Sequence, residues 1–357
     1  MASKIRVALF GYGLAGRYFH APLISVVDSL QLDAIVTSNP ERTAAARAEH
    51  PEARVLPTVE EVFSDPRSYD LVVVATGNLA HAPQTERALR AGLGAVVDKP
   101  LCATSTEAKQ LAELARETGQ LLTVFQNRRW DSDFLTVRRL LDEGVLGRVH
   151  RFESRFERWR PEPKGGWREM SGADEMGGLL YDLGSHLVDQ VLHLLGPART
   201  VYAEVRAVRR GVASDDDVFL ALEHESGTTS HLWASSIAAE QGPRFRVLGD
   251  RAAYVVHGLD SQEDLLRAGI KPGAAGWGVE PVERWGRLHS SDAEGPTVTP
   301  VETSLGEWPT FYPRVAATLR EGSEPPVRVE DAVRTLQVLD AARVSARTGQ
   351  VVELPEG

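Results

Sequence analysis

The sequence predicts an α/β chain in two parts: a doubly wound parallel sheet, then an α/β part with an open, predominantly antiparallel sheet. Three observations lead there. An apolar run at the N-terminus breaks into a glycine-rich turn, further apolar runs alternate with helical segments up to Phe125, and the pattern then changes to longer runs of period two. Alternating strands and helices build a parallel sheet covered on both faces, whereas period-two runs build a sheet with one face toward water.

Ile5 to Phe10 is the first strand, and Gly11-Tyr12-Gly13-Leu14-Ala15-Gly16 follows it directly and opens a helical segment. Strand, glycine turn and helix in that order are the context a dinucleotide-binding loop requires. The glycines permit a tight turn, and the free N–H groups at the helix start attract a pyrophosphate. Pro22 is expected to break or kink this helix, since proline removes a donor and crowds the preceding turn. Leu32 to Asn39 reads as the second strand. Its end lacks the acid that usually meets the ribose hydroxyls of NAD, and offers Thr37, Ser38, Asn39 and Arg42, a set suited to a 2′-phosphate. NADP(H) is therefore the preferred cofactor, with NAD(H) the alternative.

Leu71 to Thr76 is apolar enough for a buried parallel strand, and Thr76-Gly77-Asn78 turns into a helical segment from Ala80 to Ala91. Ala95 to Asp98 is the next strand, Thr104-Ser105-Thr106-Glu107 supplies a capping box for a helix to Thr118, and Leu121 to Phe125 closes the series. These elements define a Rossmann domain over 1–127, with its ligand crevice at the carboxyl ends of the strands. The candidate cofactor contacts on that edge are Gly11, Tyr12, Gly13, Leu14, Ala15, Gly16, Ser38, Asn39, Arg42, Thr76, Asn78, His81, Asp98 and Lys99. Lys99, immediately after a buried strand and before Pro100, is placed to polarise a substrate hydroxyl or carbonyl.

Residues 128–357 form the second part, expected to bind substrate and to oligomerise. In Val149 to Trp159, Phe152 and Phe156 share one face while Arg151, Glu153, Arg155 and Glu157 share the other. Thr200 to Arg209, Val218 to Glu225, Thr228 to Ser236 and Phe245 to His257 read as further strands. A sheet face left uncovered by helices calls for burial, which predicts a homodimer or homotetramer formed through it. Arg160 to Gly178 reads as a loop and carries Trp167, a candidate substrate contact; Gly258 to Pro300 is another glycine- and proline-rich region. Two helices, near Ser304 to Glu321 and Val329 to Thr348, close the chain.

Gly177 to Gly196 combines an apolar helical repeat with ionisable groups one turn apart. Asp182 and His186, four residues apart, share one face of an α-helix and are close enough to share a proton network. Imidazole titrates near neutral pH, which makes His186 the candidate general base, with Asp182 orienting it. His186, Asp189 and His193 also fall at helical spacing for a metal, but no further ligand is identified and Asp189 is equally at home facing solvent, so no metal is expected.

A net charge of −10 and the lack of a basic stripe argue against a nucleic-acid partner. The single cysteine, Cys102, cannot form an internal disulfide, and no apolar run approaches the ~20 residues needed to span a bilayer. The N-terminus has too short an apolar run for a signal peptide. These readings predict a soluble cytoplasmic protein without membrane partners.

GYGLAG at the N-terminus, Asp98-Lys99-Pro100 after a later strand, and Asp182-Leu183-Gly184-Ser185-His186 in the second part together resemble the glucose-fructose oxidoreductase/inositol dehydrogenase (Gfo/Idh/MocA) family. Phe19-His20-Ala21-Pro22-Leu23-Ile24, Asn127-Arg128-Arg129-Trp130-Asp131-Ser132-Asp133-Phe134-Leu135 and Tyr181-Asp182-Leu183 point to its NADP-dependent scyllo-inositol dehydrogenase-like branch. The resemblance implies a catalytic set of Lys99, Asp182 and His186, substrate contacts that add Asn127, Arg128 and Trp167, and oxidation of a secondary alcohol on a polyol ring or sugar. Aldose or ketose reduction and redox-assisted glycoside cleavage are alternatives within the family, and a non-catalytic cofactor-binding sensor is a third. Three positions depart from the family pattern: Asp98 replaces the usual glutamate, Gly77 a proline, and Leu179-Leu180 an aromatic residue near the substrate.

Overall fold

The computed structural model describes residues 3–172 and 175–355; the side chains of Trp167, Arg168 and Asp292 lie outside that description. Its chain divides into two compact units. The first holds the chain as far as Asn127 together with Gln262–Trp277 and Glu307–Val333, and the second holds Arg128–Ser261, Gly278–Gly306 and the chain from Arg334 on. The break expected after residue 127 thus ends the first unit's leading segment, but later segments return to that unit. Among the described residues no helix is long and apolar enough to cross a membrane.

In the first unit, β1 (Ile5–Phe10), β2 (Leu30–Val36), β3 (Arg54–Leu56), β4 (Leu71–Val74), β5 (Gly94–Asp98) and β6 (Leu122–Phe125) form a parallel sheet. Its order is β3-β2-β1-β4-β5-β6, a doubly wound arrangement that reverses direction at β1 and β4. β4 is buried throughout and β1 everywhere but at Arg6, as strands covered on both faces require. Thr104 caps its helix as the capping-box pattern predicts, Oγ1 accepting from the Glu107 N–H at 3.2 Å, while Glu107 Oε2 accepts from the Ala103 N–H at 3.1 Å, one residue before the N-cap. Pro22 does not end its helix. Gly16–His20 forms a π-helical turn and Ala21–Ser25 continues as α-helix, with proline in the first turn of that continuation, where no N–H is needed.

In the second unit, β7 (Val149–Glu157), β8 (Ala198–Arg206), β9 (Asp217–His224), β10 (Thr229–Ser235), β11 (Phe245–Gly249), β12 (Ala252–Val256), β13 (Gly286–Asp292), β14 (Gly295–Val301) and β15 (Val352–Glu353) form one sheet. The order is β14-β13-β12-β11-β7-β10-β9-β8-β15, antiparallel everywhere except at β7 and β10. The run Phe245 to His257 is two strands rather than one, folded back at Asp250-Arg251. The glycine- and proline-rich region hides a hairpin, β13–β14, whose alternation is too polar to read as a strand pair.

The period of two decides what each face does. Phe152, Phe156, Leu220, Leu222, Leu232 and Ala234 are buried, while Phe219, His231 and Trp233 stand half-buried on the opposite face. There Phe219 lies across from Trp233 with ring centroids 5.2 Å apart, and the Arg155 guanidinium sits 3.9 Å from the Trp233 ring. The separation of Phe152 and Phe156 from the charged side chains of β7 follows the alternation expected.

Candidate active site

At the carboxyl edge of the first sheet, the glycine loop is tight for a steric reason. Gly11 has φ +92°, and a Cβ there would lie 2.4 Å from the Ala75 carbonyl oxygen; at Gly16 it would lie 2.0 Å from the Gly11 carbonyl oxygen. At Gly13 the nearest atom to a Cβ would be Arg42 Nη1, 3.7 Å away, so this middle glycine leaves backbone open to an approaching ligand. That cradle fits the dinucleotide expected from the sequence.

The candidate cofactor residues separate into two groups. Leu14, Ser38 and Arg42 are exposed, and Arg42 makes no ion pair among the described residues. Tyr12, Asn39 and His81 instead spend their side chains on the fold. Tyr12 is buried, and its hydroxyl donates to Glu49 Oε2 at 2.6 Å; burial, then that contact, pushes the phenol well up. Asn39 Oδ1 caps the helix Pro40–Glu49 by accepting from the Arg42 N–H at 3.0 Å. His81 is buried, with Nδ1 2.8 Å from the Pro100 carbonyl and Nε2 3.3 Å from that of Thr76. Burial lowers its basicity, and a neutral ring has one N–H for two carbonyls, so it holds these two loops together rather than presenting itself to a ligand. Gly77 has φ −68° and ψ 145°, the backbone a proline would impose, so its lack of a ring does not change the turn.

Lys99 and Asp98 are half-buried on the same edge as Gly11 and Thr76, and Asp98 Oδ1 accepts from the Lys99 N–H at 2.8 Å. The Lys99–Pro100 peptide is cis. His20, from the Phe19-His20-Ala21-Pro22 stretch, is fully buried against Phe125, and Nδ1 lies 2.6 Å from the Tyr312 hydroxyl. Burial lowers its pKa to about 4, against the opposing pull of Asp98.

In the second unit, Asp182 and His186 are not both on an α-helix. Asp182 lies in a π-helical turn, Leu180–Gly184, and His186 in the first turn of the α-helix Ser185–Leu195. Asp182 is half-buried and His186 is 4% exposed, its ring centroid 6.5 Å from that of Phe156. The turn is capped from a distance by Asp215, which sequence spacing does not identify. Asp215 Oδ2 accepts from the Leu180 N–H at 2.7 Å and its carbonyl from the Leu179 N–H at 3.0 Å. Gly178, with φ +88°, must be glycine here because a Cβ would lie 2.1 Å from Asp215 Oδ1.

Asp189 does not face solvent: it is 2% exposed and receives two hydrogen bonds from Arg129, at 2.6 and 2.8 Å. Its neighbour Gln190 donates to the Arg128 carbonyl at 2.8 Å and accepts from Arg244 at 2.8 Å. The helix therefore fixes Arg128, whose guanidinium lies 4.9 Å from the Phe156 ring and 3.2 Å from Asp131. His193 is exposed. Leu179 and Leu180, expected to face substrate, are buried at 6% and 1% exposure and belong to the core. Asn127 is also buried. The Trp167 side chain lies outside the described residues.

A doubly wound sheet with a glycine cradle at its switch point, joined in one chain to an open-sheet unit whose helix start bears an acid and a histidine, has the features of a nicotinamide-nucleotide oxidoreductase of two α/β parts. The chain belongs to the Gfo/Idh/MocA oxidoreductase family: residues 5–126 match its NAD-binding Rossmann fold and residues 138–354 its C-terminal alpha/beta domain. It is 37% identical over 353 residues to the scyllo-inositol 2-dehydrogenase (NADP+) IolW of Bacillus subtilis, covering 98% of this chain and 96% of that protein. D-apiose dehydrogenase of Paraburkholderia graminis is 27% identical, over 98% of this chain and 90% of its own. The structure of a Yersinia pestis protein, 37% identical, superposes with a TM-score of 0.92 over 100% of this chain and 99% of its own.

Asp215 generates a pH test. Burial lifts its carboxyl to about 6, above the roughly 3.9 of an unfolded aspartate. The native state thus holds the extra proton between these values, and this group makes stability fall as pH rises from about 4 to 6. The span corresponds to at most about 3 kcal/mol. His20, lowered to about 4, acts in the opposite sense over a similar range, so the informative quantity is a difference. Asp215→Asn keeps an acceptor for Leu180 but does not titrate. Urea unfolding at pH 4 and 6 should show the variant gaining relative to the parent at the higher pH; parallel pH curves would disprove the burial argument.

Proposed function

We propose that the protein oxidises a secondary alcohol of a cyclitol or sugar, reversibly, with NADP(H) as the preferred hydride partner. The observation that carries the reading is the pairing of half-buried Asp182 and buried His186 on one capped, rigid helix start, in a chain that resembles an NADP-dependent inositol dehydrogenase over nearly its full length. The nicotinamide, when bound, exchanges the hydride. The chain's own residues manage the proton and the oxygen. His186 accepts the hydroxyl proton, Asp182 orients the imidazole and stabilises its charged form, and Lys99 polarises the reacting oxygen. Arg128, held by Gln190 and Asp131, contributes a substrate contact, and Asn127 and Trp167 belong to the same proposed set.

The test is a panel of polyols and sugars with NADP+ and NAD+ in parallel, followed by reduced-nicotinamide absorbance. His186→Ala and Lys99→Ala should each lower kcat by about 10²- to 10⁴-fold while leaving the dissociation constant for NADP+ within a few-fold. Near-normal turnover in either purified variant would remove that residue from the mechanism.

Cofactor preference has its own test. Arg42 is exposed beside Gly13 and free of carboxylate partners among the described residues, the condition for pairing with a 2′-phosphate. Arg42→Ala should cost NADP+ about 10-fold or more in kcat/KM, as loss of a charge-assisted contact does, with NAD+ little changed. An equal loss for both cofactors would refute the assignment.

The half-buried face bearing Phe219, His231 and Trp233 supports self-association. A second copy covering it gives a dimer or tetramer, and Trp233→Glu should shift sedimentation at micromolar concentration to a smaller species. A monomeric parent protein would dispose of this reading.

A further inference from the structure

Among the enclosed arginines of the second unit, five have carboxylate partners. Arg128 meets Asp131 at 3.2 Å, Arg129 Asp189 at 2.6 Å, Arg155 Glu153 at 2.9 Å, Arg209 Asp216 at 2.8 Å and Arg244 Asp133 at 3.3 Å. Arg158 departs from this pattern. It is half-buried, its Nε is shut off from water without a hydrogen-bond partner, and its guanidinium makes no hydrogen bond or ion pair among the described residues. A guanidinium Nε enclosed without an acceptor is costly unless something supplies one.

Its position says what that is. Arg158 follows Phe156 by two residues at the end of β7, so alternation puts it on the face where Phe156 meets His186 and Arg128. Its backbone is pinned on both sides, the N–H donating to the Ser235 carbonyl at 3.0 Å and the carbonyl accepting from Ala238 at 3.1 Å. The charges acting on it come from Asp182 and Glu169 on one side and Arg160 and Arg209 on the other. Glu169 and Asp216 are already engaged by Arg209. Arg158, Arg160 and Arg209 against Asp182 and Glu169 leave no carboxylate of that group to pair with Arg158 alone.

We propose that Arg158 is a substrate-binding, specificity-determining residue that donates its guanidinium fork to two vicinal hydroxyl oxygens of a neutral polyol, next to the carbon oxidised at Asp182 and His186. A planar fork matches a pair of oxygens held side by side, which an ammonium group does not.

This inference rests on the dehydrogenase reading, and the experiment separates the two. Polyols with and without a vicinal pair are titrated into the NADPH-bound protein to measure affinity, and assayed separately for turnover with NADP+, in the parent, Arg158→Met and Arg158→Lys. Both variants should raise KM and the polyol dissociation constant about 10- to 100-fold, with NADP+ binding unchanged and a thermal midpoint no lower than the parent's, since no bond within the protein is lost. A polyol with no vicinal hydroxyl pair should bind parent and Arg158→Met with affinities that differ far less. Unchanged polyol affinity in Arg158→Met, or a lowered midpoint with affinity for cofactor and polyol falling together, would overturn the role of Arg158 alone. Failure of the parent to bind or turn over any polyol would overturn the dehydrogenase reading and this proposal with it.

Discussion

The second unit depends on a buried charge pair. Asp189 and Arg129, 2% and 5% exposed, exchange two short hydrogen bonds that tie the helix Ser185–Leu195 to the segment carrying Arg128. A pair this deep is weak evidence of net stability, because two desolvated ions often do no better than apolar residues of equal volume. Removing one partner is another matter, since it strands the other at about 3–5 kcal/mol. Its use here is registry: Gln190, one residue on, reads the Arg128 carbonyl and the Arg244 guanidinium, so the helix can sit in only one rotation. His186, one turn earlier, inherits that rotation.

Registry would be useless without a fixed helix start, and Asp215 supplies it. A π-helical turn leaves backbone donors unsatisfied at its beginning, and the Asp215 carboxylate and carbonyl take those of Leu180 and Leu179. The glycine at 178 exists to let that carboxylate in. Asp182, in the middle of this turn, is thus held from both ends, by Asp215 before it and by the buried α-helix after it.

What the sequence made legible was contiguous. The glycine loop, the Thr104 capping box, the Asp98-Lys99-Pro100 turn and the β7 alternation all declare themselves within a few residues, because their physics is local. What it hid was supplied from afar. Asp215 lies more than thirty residues from the helix it caps, and three aspartates in a row, Asp215 to Asp217, look like a solvated loop. Arg158, one residue beyond β7, was not singled out from the sequence, because what sets it apart, an enclosed Nε without an acceptor among the described residues, is a tertiary fact. Leu179-Leu180 misled for the complementary reason: proximity to the acid–base pair along the chain says nothing about which way an apolar side chain turns, and burial won.

The two units divide rigidity from choice in different ways. In the first, Tyr12, Asn39 and His81 are committed to the scaffold, and the loop offers a ligand mainly backbone, with Arg42 exposed beside it. Backbone N–H groups bind a pyrophosphate whatever the ribose carries, so the proposed discrimination between cofactors rests on a residue that makes no ion pair among the described residues. In the second, Asp182 and His186, the proposed acid–base pair, sit between the Asp215 cap and a helix held by a buried salt bridge, so a change there also bears on stability. The Arg158 guanidinium, which makes no hydrogen bond or ion pair among the described residues, is the exception, because altering it removes none of those bonds. The substrate contact proposed at such a position can change with little cost to the fold, whereas the proposed acid–base pair beside it cannot.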